Sequence, residues 1–238
     1  MDQIQEFYDQ FTAHQKNMGI NHRHLSIQRL LEANGLKREH NVLEVGCGIG
    51  TLTELILRYL SNEGSLLGLD ISPKSIEIAN QRLSKYANAT LKVDDLTKRS
   101  LDQKFDVIVL PDVIEHIPLE LHKAFFLNLS KMLRPTGFIF IHIPDPNYLQ
   151  WCIDAKKDGL QIIDQPIHTH LLSENLRGSN LYIHSLKSYS VFLRENDYQA
   201  IVLKHIPTVE QYNPVKPKHD PLMRRIIRKA RYLIRGNK

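Results

Sequence analysis

The 238-residue chain has only two cysteines, Cys47 and Cys152, and no CxxC pair. A disulfide framework and a thiolate zinc site of the usual spacing are thereby excluded. No apolar run reaches the roughly 18 residues that a membrane-spanning helix needs. The polar opening, MDQIQEFYDQFTAHQKN, has the make-up of neither a signal peptide nor a span. Internal repeats and low-complexity stretches are absent. The expected compartment is therefore reduced and cytoplasmic. The body of the chain also lacks a net positive charge. Its last 23 residues, Lys216 to Lys238, carry nine Lys and Arg against one acid, whereas the remainder has a net charge of −3. Enzymes of nucleic acid carry basic surface near the active site, so the split disfavours that partner. Hydrophobic residues, at 42%, suffice for a buried core and exclude wholesale disorder.

What is present is an alternation of strand and helix patterns. Residues 2–34 read as one or two polar helices closed by Gly35. Strands follow at Asn41–Val45, Ser65–Leu69, Thr90–Val93, Phe105–Leu110 and Phe138–Ile143. Between them lie helices at Leu52–Leu60, Pro73–Lys85 and Leu119–Leu133, the second opened by a first-turn proline. Residues 144–185, with three prolines, read as a lid. A helix at Leu186–Asn196 and a strand at Tyr198–Ile206 close the pattern, and the seventh strand is expected to be short, displaced or absent. The spacing predicts an α/β, Rossmann-like, doubly wound and mostly parallel sheet of six or seven strands. It occupies residues 1–215, ahead of a basic tail at 216–238.

The most informative stretch is Val42-Leu-Glu-Val-Gly-Cys-Gly-Ile-Gly-Thr51. A strand ends, three glycines follow at alternate positions, and a helix begins. Glycines there let a ligand approach the backbone closely. The dinucleotide fingerprint is GxGxxG, and here the third glycine comes one position early. Glu44 inside the strand would also repel a pyrophosphate. The segment resembles the first motif of the class I S-adenosylmethionine (SAM)-dependent methyltransferases. "LLGLDIS", "VDDL", "FDVIVLPDVIEHI" and "MLRPTGFIFIHIP" resemble that family's later motifs in order. The resemblance implies SAM as cofactor and a site made of Glu44, Gly46, Cys47, Gly48, Gly50, Ile71 and Leu110, with three more acids. Asp70 would take the ribose hydroxyls, Asp94 the adenine amino group, and the backbone at Asp95 or Leu96 the adenine ring edge. Arg23 would bind the SAM carboxylate.

Asp112, Glu115 and His116 stand at i, i+3, i+4 after the fourth strand. In a helical turn they would share one face, either capping the turn or holding a divalent metal. Ubiquinone-pathway and small-RNA methyltransferases resemble this segment, with a longer Glu in the place of Asp112. His142 at the end of the fifth strand is the first choice as catalytic base, and His116 the second. His168, His170 and His184 lie in or beside the lid. The expected activity is O-methylation of a small or lipid-linked metabolite. A non-catalytic SAM-binding module and an RNA 2′-O-methyltransferase are the rival readings. In the tail, apolar Leu222, Met223, Ile226, Ile227, Leu233 and Ile234 fall opposite a basic face. Such a helix either docks on protein or lies on an anionic membrane, placing the enzyme peripherally on its inner face.

Overall fold

A computed structural model describes residues 19–209. The expected helix before Gly19 and the amphipathic tail lie outside the described residues. The chain divides into two compact units, 1–206 and 207–238. The first contains α1 (His22–Ala33), β1 (Asn41–Val45), α2 (Thr51–Tyr59), β2 (Ser65–Asp70) and α3 (Pro73–Leu83). Then come β3 (Ala89–Val93), β4 (Phe105–Pro111), α4 (His122–Met132), β5 (Leu133–Pro144), α5 (Pro146–Asp154) and α6 (Thr169–Asn175). Strands β6 (Leu181–Tyr189) and β7 (Tyr198–His205) end the unit, and short 3-10 turns cover Ile114–His116 and Leu119–Leu121. None of the described helices is long and apolar enough to cross a membrane.

The seven strands form one sheet in the order β3-β2-β1-β4-β5-β7-β6. Strands β1 to β5 pair in parallel, and β7 is antiparallel to both β5 and β6. The order reverses at β1, where β2 and β4 flank it. In open α/β sheets ligands bind at this point, beyond the carboxyl ends of the strands.

Strand alternation sorts the core into two layers. Leu43, Ile139, Ile141 and Ile201 pack with Phe125, Phe126 and Leu129 of α4 and Leu172 of α6. Val42, Phe138, Phe140 and Val202 pack with Ile27 and Leu31 of α1, Ile56 of α2 and Leu83 of α3. Glu44 and His142 follow the second parity, so each lies on the α1 side of the sheet.

Two expectations need correction. Residues 186–189 are not the start of a helix; they complete β6. Leu186 and Leu193 have a helical spacing, but cross-strand pairing with β7 overrides it. A register shift between Ile183 and Ser185 also hides the two-residue period. The missing strand therefore precedes Tyr198. The hairpin loop between the two strands is tied by Asp197, which accepts from the backbone N–H groups of Val191 and Phe192 at 2.6 and 2.9 Å. The segment expected to be a lid is also partly core: Leu172 of α6 is fully buried.

Candidate active site

A cavity of about 520 Å³ opens beyond β1, β2 and β4, within the range usual for small-molecule sites. Gly46 and Gly48 form its floor with positive φ angles of 73° and 52°. A Cβ on Gly46 would stand 2.8 Å from Val113 Cγ2, so only glycine leaves both the turn and the space open. The loop is held from β2. The N–H groups of Gly46 and Cys47 donate to the Leu69 carbonyl, and Gly48 N–H donates to Asp70 Oδ2 at 2.8 Å. The other Asp70 oxygen accepts from Ser72 N–H at 2.9 Å. Behind the loop, Glu54 of α2 accepts from Arg58 and Arg82 at 2.8 and 2.9 Å. These two guanidinium groups outweigh burial and hold its carboxyl at about 2.

Among the residues expected to bind cofactor, Arg23, Glu44, Gly46, Cys47, Gly48 and Asp70 line this cavity. So do Ile71, Asp94, Asp95 and Leu96. Gly50 and Leu110 do not. Gly50 instead lets α2 start against α3, where a Cβ would meet Leu83 Cδ1 at 2.7 Å. Leu110 is fully buried in β4. Asp94 is paired with Arg99 at 2.6 Å, and Asp95 with Thr97 and Lys98. Burial pushes the Cys47 thiol well up, which makes it a wall and not a nucleophile.

Glu44 is 1% exposed, and neither carboxyl oxygen has a hydrogen-bond partner. Burial pushes its pKa up to about 8. The folded chain thus keeps a proton that the unfolded chain releases in the ordinary carboxylate range. That stability is complete below the unfolded pKa and is lost as pH rises through about 8. Cofactor-free protein should lose a few kcal/mol of stability from about pH 5 to about pH 8, and Glu44→Gln should flatten the decline. Urea titrations at the two pH values measure it; equal slopes for both proteins would contradict the assignment.

Arg23 reaches the cavity from the first turn of α1, which is capped by Asn21. Its guanidinium is ion-paired with Asp112. Beside it, burial and the Arg23 charge lower the buried His24 to about 4. Asp112 has a φ of 53°, so the turn after β4 is not helical from its first residue. The Asp112, Glu115 and His116 side chains consequently diverge. Asp112 turns to Arg23, and Glu115 is buried without a hydrogen bond, its Oε1 lying 3.8 Å from His116 Nε2. His116 Nδ1 donates to the Ile163 carbonyl at 2.7 Å, with Asp164 at 3.3 Å and the Gln161 amide 2.9 Å from Nε2. Among the described residues no group of three or more His, Cys, Asp and Glu side chains is placed to hold a metal ion. The expected donor set does not fit one, because its first member is neutralised by Arg23.

The two histidines also differ from expectation. His142 is fully buried and does not line the cavity. Its Nε2 is 2.7 Å from the Tyr189 hydroxyl, its ring stacks on Tyr198 at 4.6 Å, and burial lowers its pKa. His116 does reach the cavity wall. Burial opposes its charge, but Glu115, Asp164 and the Ile163 carbonyl prevail and raise it to about 9. At neutral pH it is a cation and not a base. The described lid and hairpin histidines, His168, His170 and His184, line neither this cavity nor its neighbour.

That neighbour is a second cavity of about 560 Å³. It shares Asp112, His116, Gly159, Gln161 and Tyr198 with the first, and Glu115 lines it. Burial pushes the Glu115 carboxyl up to about 8, and the nearby His116 pulls the other way. No local pattern marks Tyr198 or Gln161 as site residues. Tyr148 and Trp151 of α5 were detectable only as an i, i+3 aromatic pair.

Comparison with known proteins agrees with this geometry. Residues 43–139 match the methyltransferase-domain family model. The malonyl-[acyl-carrier protein] O-methyltransferase 1 of Ilyobacter polytropus is 33% identical over 42% of this chain and 35% of its own length. The mitochondrial ubiquinone biosynthesis O-methyltransferase of Dictyostelium discoideum is 30% identical over 76% of this chain and 55% of its own. The chain thus spans about a third to just over half of these relatives. The fold matches the N-methyltransferase NodS of Bradyrhizobium japonicum, solved with S-adenosyl-L-homocysteine, with a TM-score of 0.61 at 20% identity. That match covers 77% of this chain and 85% of NodS.

Proposed function

We propose that the chain, which matches the methyltransferase-domain model over residues 43–139, is a class I SAM-dependent methyltransferase and methylates an oxygen of a small or lipid-linked metabolite. The observation that carries the proposal is the shared lining: Asp112, His116, Gly159, Gln161 and Tyr198 border both the glycine-loop cavity and its neighbour, and Glu115 lines the neighbour. SAM, when bound, supplies a methyl group already activated on a sulfonium. The chain's own residues bind, orient and deprotonate. Asp70 accepts from the ribose hydroxyls, and Asp94 from the adenine amino group. Glu44, otherwise an orphaned carboxyl, receives the ammonium group. Arg23 takes the carboxylate as its pairing with Asp112 is exchanged. Alignment of the acceptor oxygen and exclusion of water provide most of the acceleration.

Glu115, and neither histidine, takes the acceptor's proton. A carboxyl titrating at about 8 is well matched to a base working near neutral pH. Glu115→Gln should lower methyl transfer at least about a hundredfold. SAM affinity should hold, because Glu115 does not line the first cavity. Single-turnover transfer and calorimetry separate the two quantities. A variant with the wild-type rate would remove Glu115 from the chemistry.

A further inference from the structure

We infer that His24 is a cofactor-binding residue: beside Arg23, its Nε2–H donates to the α-carboxylate at the amino-acid end of the cofactor. This rests on the methyl-transfer reading above and deepens its cofactor site.

Asn21, Arg23 and His24 all line the glycine-loop cavity. His24 is the third residue of α1, and its neighbours settle where its proton sits. The Asn21 side chain caps the helix, accepting from the N–H groups of Arg23 and His24 at 3.1 and 3.3 Å. In return the Asn21 N–H donates to His24 Nδ1 at 3.2 Å. This is a reciprocal capping box, with histidine in the place usually held by Glu or Gln. A ring nitrogen that accepts a hydrogen bond carries no proton, so the neutral ring carries its proton on Nε2. Burial and the Arg23 charge keep the ring neutral, with a pKa of about 4.

The consequence falls at the other nitrogen. His24 Nε2 lies 3.3 Å from Nη2 of the Arg23 guanidinium, a group that only donates. Two N–H donors thus face each other, and neither satisfies the other. An anionic oxygen between them would accept from both, with the strength of a charge-assisted bond. Glu44 complements the pair. It lines the same cavity, both its oxygens are buried and unpartnered, and the Arg23 charge acts on it. An ammonium at Glu44 and a carboxylate at His24 and Arg23 would each meet an opposite partner. The two donors differ in readiness. Arg23 has to exchange Asp112 for the carboxylate, whereas the capping box presets the His24 donor.

The test titrates full-length protein by calorimetry with S-adenosyl-L-homocysteine and with its decarboxylated analogue, S-adenosyl-3-thiopropylamine. The two ligands share the adenosine, the sulfur and the ammonium, and differ in the carboxylate. His24→Leu should weaken S-adenosyl-L-homocysteine about tenfold or more, the loss of one hydrogen bond to a charged group. The affinity of the amine should stay within about twofold, whereas a lost helix cap would weaken both ligands alike. His24→Gln keeps an acceptor for Asn21 and a donor for the carboxylate, so it should bind S-adenosyl-L-homocysteine within about threefold of wild type. Nitrogen NMR of histidine-labelled protein needs no leucine variant, should that one fail to fold. The ring signals that His24→Gln removes should be those of the Nε2–H tautomer. They should shift with S-adenosyl-L-homocysteine and not with the amine. Equal weakening of both ligands by His24→Leu, an undiminished S-adenosyl-L-homocysteine affinity, a His24→Gln as weak as His24→Leu, or an Nδ1–H tautomer overturns the inference. Wild-type protein that binds neither ligand would instead overturn the methyltransferase reading on which it rests.

Discussion

Asp70→Ala and Gly46→Arg should each abolish measurable SAM binding, Asp70→Ala by at least about a hundredfold in affinity. Asp70 does two jobs. Its carboxylate holds the Gly48 and Ser72 N–H groups at 2.8 and 2.9 Å, which fixes the glycine loop on β2. In the proposed complex it also receives the ribose hydroxyls. Charge-assisted hydrogen bonds contribute about 1.5–3 kcal/mol each, so loss of the ribose contacts alone accounts for the expected factor. Gly46→Arg acts differently. Its backbone has a φ of 73°, and the first side-chain atom already collides with Val113. The remainder of the arginine would fill the space meant for ligand. Calorimetry gives the affinities and circular dichroism checks the fold. Normal SAM binding by both variants would remove the glycine loop from the cofactor site.

Phe140→Ala should be the most damaging single truncation of the core, costing about 3–5 kcal/mol. Phe140 is fully buried at the centre of β5, paired with Val109 of β4 on one side and Val202 of β7 on the other. It packs in the layer under α1 and α2, so the cavity it leaves lies beneath the helices that shape the cofactor site. For a chain of this length, a melting temperature lower by roughly 10 °C should follow. Thermal unfolding monitored by circular dichroism reads it directly. A shift of only a degree or two would mean that the α1 layer is not a close-packed core.

The sequence disclosed those parts of the site that local chemistry determines. A strand, a glycine turn and a helix follow one another in Val42–Thr51, and an acid ends the next strand, so the loop and Asp70 could be placed before any coordinates. Five parallel strands were legible because their apolar runs are bounded by turns and helices. What escaped depends on distant partners. Asp112 was expected to start a helical turn, but its left-handed backbone directs it to Arg23, 89 residues earlier in the chain. His142 was expected at the cavity because it ends a strand. The stacking of Tyr198, from a strand 56 residues later, instead leaves it in the core. The β6 strand was missed because its pairing with β7 is tertiary, and the register shift between Ile183 and Ser185 hides its two-residue period. The surroundings of His116 come from the loop residues Gln161 and Asp164 folding back over the turn, which no local pattern announces.

The central claim is that the two adjoining cavities carry out methyl transfer and do more than bind a nucleotide-like ligand. The most direct measurement incubates the full chain with SAM labelled in its methyl group and an extract of small molecules and lipids. The account predicts a labelled, alkali-stable methyl ether in the wild-type reaction, formed mole for mole with S-adenosyl-L-homocysteine and absent with Asp70→Ala. SAM bound by the wild type, with no label passed to any acceptor, would contradict it and leave a binding module in place of an enzyme.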